Sequence, residues 1–206
     1  TLLRVEVIDI IAKHCGVGEA VAAWTKKAME GNVPFETSLE ARLKLISPSI
    51  SQINELLASH SFVDELTPHV EKLISLLHKR NVQIFLISGG FRVTIEPLAM
   101  FLKINHENIF ANKLFHDKDG SFIGFDALEP TSHQFGKPEV IKNLRKKFNF
   151  KSIVMIGDGV TDLETKPFVD LFIGYGGVVS RKRVQKSADW FIDDFKILIE
   201  KITEHS

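Results

Sequence analysis

Two short segments of the chain place oxygen and nitrogen groups where a phosphate or a hard cation could be held. Ser88-Gly89-Gly90 follows an apolar run at 82–87 and precedes a helical pattern. It offers a hydroxyl and two unhindered backbone N–H groups at a helix start, which suits an anionic oxygen. A tight turn with an N-cap accounts for the same three residues equally well. Gly157-Asp158-Gly159-Val160-Thr161-Asp162 follows a second apolar run, at 152–156. Two carboxylates four positions apart at the end of a buried strand form a hard-oxygen site suited to Mg²⁺, and the glycines let the backbone come close to it. Helix capping explains one of these carboxylates better than both. Lys137, in Phe135-Gly136-Lys137-Pro138, stands at a helix start, where the helix dipole disfavours a cation. A solvated lysine is the ordinary reading, and an anion bound nearby is the functional one. This Gly-Lys is not a P-loop, because Pro138 stands where Ser or Thr must bind Mg²⁺.

The elements that carry these groups have two textures. From about Glu6 to Ala58 apolar residues recur at three- and four-residue spacing, as in Val7, Ile8, Ile11 and Ala12, with breakers at Gly16, 31–34 and Ser47-Pro48. This predicts consecutive amphipathic helices, with Gly16 closing the first at positive φ. From about Thr67 strand and helix alternate. A helix is expected from Thr67-Pro68 to Arg80, then a strand over 82–87 and a helix from near Phe91. A hairpin is expected of 108–115 and 121–125, a helix over 136–147, a strand over 152–156 and another over 171–173. Such repeated strand–turn–helix units imply a parallel α/β sheet flanked by helices. Ligands in open sheets of this kind bind outside the carboxyl ends of the strands, which is where both candidate segments fall.

Composition excludes several classes. Lys plus Arg and Asp plus Glu both total 26, so no global basic field draws nucleic acid or an anionic membrane. No apolar run approaches the roughly 20 residues that span a bilayer. Cys15 is the single cysteine, which fits a reducing compartment, and the cytosol is the expected location. None of the eight histidines shows metal-ligand spacing, and all are read as ordinary surface or loop residues.

Ser88-Gly89-Gly90, Lys137 and Gly157-Asp158-Gly159-x-x-Asp162, in this order and spacing, resemble motifs two, three and four of the haloacid dehalogenase superfamily. Ala28-Met29-Glu30-Gly31, Val33-Pro34-Phe35, the run 86–92, Phe110-Ala111-Asn112 and the run 172–177 narrow the resemblance to the branch of phosphatases acting on phosphoserine, in its animal-like form. The resemblance implies a three-layer, Rossmann-like α/β core at 65–206 and a small helical cap at 1–64, inserted after a first core strand. It implies Mg²⁺ as cofactor, bound by Asp158, with Lys137, Ser88 and Asp162 in the catalytic machinery. O-phospho-L-serine is the implied small-molecule substrate. Glu6 is expected to hold its ammonium and Arg42 its carboxylate. Met29, Glu30 and Phe35 are expected to line the serine pocket, and Ser88, Gly89, Gly90, Lys137 and Thr161 to meet the phosphate. Read without the resemblance, Glu6 and Arg42 are a solvated helix face. No nucleic acid or membrane partner is implied, and a homodimer is left open.

One departure from the pattern is large. Motif one of the superfamily branch reads Asp-x-Asp-Ser-Thr, and Thr1 aligns with its final threonine. The nucleophilic aspartate and the general-acid aspartate are therefore expected upstream of Thr1, on a strand central to the sheet. Removing such a strand would take away about ten ladder hydrogen bonds of about 0.5–1.5 kcal/mol each, comparable to a whole domain's stability. The rival class is a non-catalytic fragment that binds phosphoserine or serine; a sibling phosphatase for another small phosphomonoester is the nearer rival. An intact mass well above 23.2 kDa is expected.

Overall fold

The computed structural model describes residues 1–29 and 33–204, and of residues 26–29 the backbone alone. Four helices come first: α1 (Val7–His14), α2 (Gly18–Met29), α3 (Phe35–Ile46) and α4 (Ile50–Ser59). Helix α1 ends as its sequence predicts, with Cys15 at the C-cap and Gly16 at φ 77°. Helix α4 opens on a capping box, in which Ser49 Oγ accepts from Gln52 N at 3.2 Å and Gln52 Oε1 accepts from Ser49 N at 3.0 Å. Their apolar faces (Ile11, Val21, Leu39, Leu43, Ile53 and Leu56) form one cluster, into which Phe62, Phe91 and Leu98 also pack.

The rest of the chain alternates helix and strand. Helix α5 (Val70–Lys79) precedes β1 (Leu86–Phe91) and α6 (Arg92–Phe101), followed by β2 (Ile109–Asn112), β3 (Leu114–His116) and β4 (Phe122–Phe125). Then come α7 (Gly136–Phe148), β5 (Val154–Gly157), the single turn α8 (Val160–Leu163), β6 (Leu171–Tyr175), α9 (Lys182–Ser187), β7 (Trp190–Ile192) and α10 (Phe195–Glu204). Strand β1 pairs with β2 in parallel, and β5, β6 and β7 pair in parallel in that order. Strand β6 shows why its sequence is apolar throughout. Side chains alternate between the faces of a strand. Ile173 and Tyr175 join the core under α5, α6 and α10, while Phe172 packs with Met155 and Val184 on the other face. Helices thus cover both faces of the parallel strands. The edge of β1 away from β2, and that of β5 away from β6, carry no ladder partner among the described residues.

Three sequence expectations shift. The strand expected at 82–87 lies instead at Leu86–Phe91, so Ser88, Gly89 and Gly90 are inside it. The reason is its neighbour: β2 begins opposite Leu86, and the preceding backbone is tied down by Asn108, whose Nδ2 donates to the Ile84 carbonyl at 2.9 Å. The run expected as one hairpin arm at 108–115 is two strands. Residues of β2 join β1, and only β3 pairs antiparallel with β4, across a turn in which Asp117 Oδ1 accepts from Asp119 N and Ser121 N. The helix expected from Thr67 begins at Val70, because the Thr67 hydroxyl donates to the Thr1 carbonyl rather than capping.

Candidate active site

The carboxyl ends of β1 and β5 meet at one small pocket, partly open to solvent. From β1 comes Gly89; from the turn after β5 comes Thr161; from the start of α7 comes Lys137, and from the start of α3 comes Phe35. Four candidates from separate parts of the sequence are thereby brought together. Gly89 sits close under Phe35: a Cβ there would lie 3.0 Å from the edge of its ring, so the ring would have to give way. Ser88 and Gly90 flank it in β1, and Ser88 Oγ accepts from Gly90 N at 3.0 Å.

Lys137 has a partner that its position in the helix did not reveal. Its Nζ lies 2.6 Å from Asp162 Oδ1, and both side chains are nearly buried, 13% and 9% exposed. The other oxygen of Asp162 accepts from Asp158 N at 3.2 Å and Gly159 N at 3.0 Å. One carboxylate thus ties the cation to the loop after β5. It packs directly on Gly157, where an added Cβ would lie 2.2 Å from the Asp162 Cβ. A charge-assisted pair removed from water in this way holds its geometry far better than an exposed pair.

Asp158 stands beside it. Its carboxylate accepts from the Thr1 ammonium at 2.7 Å and from the Thr1 hydroxyl, and Arg181 Nη1 reaches its other oxygen at 2.5 Å and its carbonyl at 3.0 Å. Burial works to raise this carboxyl's pKa, but the Thr1 groups and the Arg181 guanidinium outweigh it and bring it down to about 2. An ionised, half-buried carboxylate can ligate a hard divalent cation, which here would have to compete with the Arg181 guanidinium for it. Among the described residues no three His, Cys, Asp or Glu side chains converge as a metal cluster.

Glu6 and Arg42 are not in the lining of the small pocket. They are nonetheless related to it and to each other. Arg42 lies seven residues after Phe35 on α3, hence on the same helix face and about 10 Å further along it. Burial lowers the pKa of its guanidinium, and the negative charges of Asp9 and then Glu6 oppose that. Its Nε donates to the Ser38 carbonyl of its own helix at 3.1 Å. Of Met29 only the backbone is described, and Glu30 lies outside the described residues.

Sequence reasoning missed several groups. Arg181 and Asp9 carry no periodic or motif signal. Thr131, His133, Phe135 and Glu164 also line the pocket. His133 is an exposed loop residue, as expected, and its Nε2 is engaged with the Ala127 carbonyl at 2.5 Å. The loop that carries them is fixed from both sides: Glu36 of α3 accepts from Gln134 N, and Glu164 accepts from Phe135 N.

A sequence model for the haloacid dehalogenase-like hydrolases matches residues 1–165. The phosphoserine phosphatase of Bos taurus is 48% identical over 204 residues, covering 99% of this chain and 90% of the relative. The chloroplastic phosphoserine phosphatase of Arabidopsis thaliana is 48% identical over 199 residues, or 96% of this chain and 67% of that one. A solved structure described as a phospho-aspartyl intermediate analogue of phosphoserine phosphatase superposes with a TM-score of 0.82 at 26% identity, covering 98% and 93% of the two chains. The chain belongs to the haloacid dehalogenase-like hydrolases, and within them to the phosphoserine phosphatase family.

Proposed function

We propose that the chain hydrolyses O-phospho-L-serine to L-serine and orthophosphate, with Mg²⁺ as its metal. The observation that carries this reading is the nearly buried Lys137–Asp162 pair at 2.6 Å, set in a pocket whose other wall is Phe35 of α3. A fixed cation beside Thr161 and Gly89 suits a phosphoryl group, and the same face of α3 carries Arg42 further out. Lys137 Nζ would stabilise charge on the transferring phosphoryl oxygens without having to reorganise, because Asp162 already holds it. The Ser88 hydroxyl, its oxygen held by the Gly90 N–H, would meet those oxygens beside Gly89. Arg42 would take the substrate carboxylate through its planar fork, and Glu6 its ammonium. Asp158 would hold Mg²⁺, which when bound neutralises phosphoryl charge.

The nucleophile in this reading is an aspartate upstream of Thr1. Its strand would pair with the free edges of β1 and β5 and end near Asp158, against which Thr1 already lies. The aspartate oxygen attacks phosphorus, and the serine oxygen leaves with a proton from a second carboxyl. Water then splits the acyl phosphate. Residues 1–64 serve as the cap and 65–206 as the core, and the reaction falls at the last step of serine synthesis in the cytosol, in keeping with the single cysteine.

The substrate assignment has a direct test. Arg42→Ala should lower kcat/KM for O-phospho-L-serine by about 100-fold, mostly through KM. O-phosphoethanolamine keeps the phosphate and ammonium but lacks the carboxylate, so its turnover should hardly change. Equal losses on both substrates would remove Arg42 from the carboxylate site.

A further inference from the structure

Phe110-Ala111-Asn112 stands out in the sequence with no role attached, and the fold turns its last residue inward. Asn112 closes β2 and is fully buried, as is Thr131 in the pocket-lining loop. Asn112 Nδ2 donates to the Gly89 carbonyl at 2.8 Å, and Thr131 Oγ1 donates to Asn112 Oδ1 at 3.0 Å. The Gly89 carbonyl, which can only accept, fixes which way the amide faces, and the Thr131 hydroxyl then holds the amide there by donating to its oxygen. A planar trans peptide points its C=O and its N–H in opposite directions. Holding the Gly89 carbonyl therefore also sets the Gly90 N–H of the same unit. That N–H donates to Ser88 Oγ at 3.0 Å, which leaves the Ser88 hydroxyl proton to be given elsewhere.

We infer that Asn112, held by Thr131, is a positioning residue: it sets the Gly89–Gly90 peptide plane and, through it, the Ser88 hydroxyl that donates to a phosphoryl oxygen. The inference rests on the reading of the Ser88 hydroxyl as a phosphate contact. Its effect is confined to the phosphate half of the substrate site, because neither Glu6 nor Arg42 shares these contacts.

The test is calorimetric titration of the full chain with orthophosphate and, separately, with L-serine. Thr131→Val keeps the shape and removes the donor, Thr131→Ser restores it, and Asn112→Asp replaces the donating nitrogen with an oxygen. Thr131→Val and Asn112→Asp should weaken orthophosphate binding about tenfold or more, from the loss of one hydrogen bond in a charged site. L-serine binding should be unchanged, and Thr131→Ser should behave as wild type. A merely structural role would weaken both ligands together or neither. Either pattern in variants with native circular dichroism overturns the inference, as does a Thr131→Ser protein no better than Thr131→Val. If Asn112→Asp fails to fold, the two Thr131 variants decide. A wild type that binds no orthophosphate overturns it too, whereas one that binds orthophosphate but does not hydrolyse phosphoserine breaks the substrate reading alone.

Discussion

Lys137→Met should reduce turnover of O-phospho-L-serine by about 10²–10³-fold, with most of the loss in kcat. The expected size is that of deleting one preorganised charge donor from a site that develops negative charge. A lower kcat at nearly unchanged KM would mark Lys137 as acting on the transition state rather than on ground-state binding. The substitution also strands the nearly buried Asp162 carboxylate. Two backbone amides still serve that carboxylate, so the stability cost should fall near the lower end for a broken buried pair, about 3 kcal/mol. The two effects separate in the double variant Lys137→Met/Asp162→Asn. Neutralising the stranded carboxylate should recover much of the stability in urea unfolding and none of the turnover. Lys137→Met with full turnover and lowered stability would assign the lysine a structural role.

Asp158→Asn should abolish activation by Mg²⁺, and chelation of the wild type should reproduce that loss. Turnover by Asp158→Asn that still rises with Mg²⁺ would remove Asp158 from the metal site.

Much of this arrangement is legible in the sequence, and the reasons are local. The 3.6-residue pattern at 6–58 marks helices because each buries one face, as Ile11, Leu39 and Leu43 do. Ser88-Gly89-Gly90 and the glycines around Asp158 stand out because strand ends that approach a ligand tolerate few side chains, and Gly157 has Asp162 packed directly against it. Lys137 draws notice by standing at the wrong end of a helix dipole. What one sequence does not display is pairing between distant residues. Lys137 finds Asp162 across 25 positions, Arg181 finds Asp158 across 23, and Thr131 finds Asn112 across 19. Periodicity specifies which element a residue belongs to, but these contacts depend on how the elements stack. The misplaced strand at 82–87 has the same origin. Its apolar residues look like a strand, yet the ladder begins only where β2 comes alongside, opposite Leu86.

Read alone, Glu6 and Arg42 are a solvated face; Glu6 is indeed exposed at the N-cap of α1, whereas Arg42 is half-buried. Burial of the Arg42 guanidinium near Asp9 and Glu6 is a tertiary property of α1 and α3 together. Asp9 went unnoticed for that reason. It is a helix carboxylate like many others until α3 packs beside it.

The measurement that bears most directly on the central claim is orthophosphate release from O-phospho-L-serine by the full-length protein with Mg²⁺, compared with O-phosphoethanolamine and glycerol phosphate under the same conditions. The account predicts metal-dependent turnover with kcat/KM highest for O-phospho-L-serine. Preferred hydrolysis of either of the other esters, or binding of phosphoserine without any release, would contradict it.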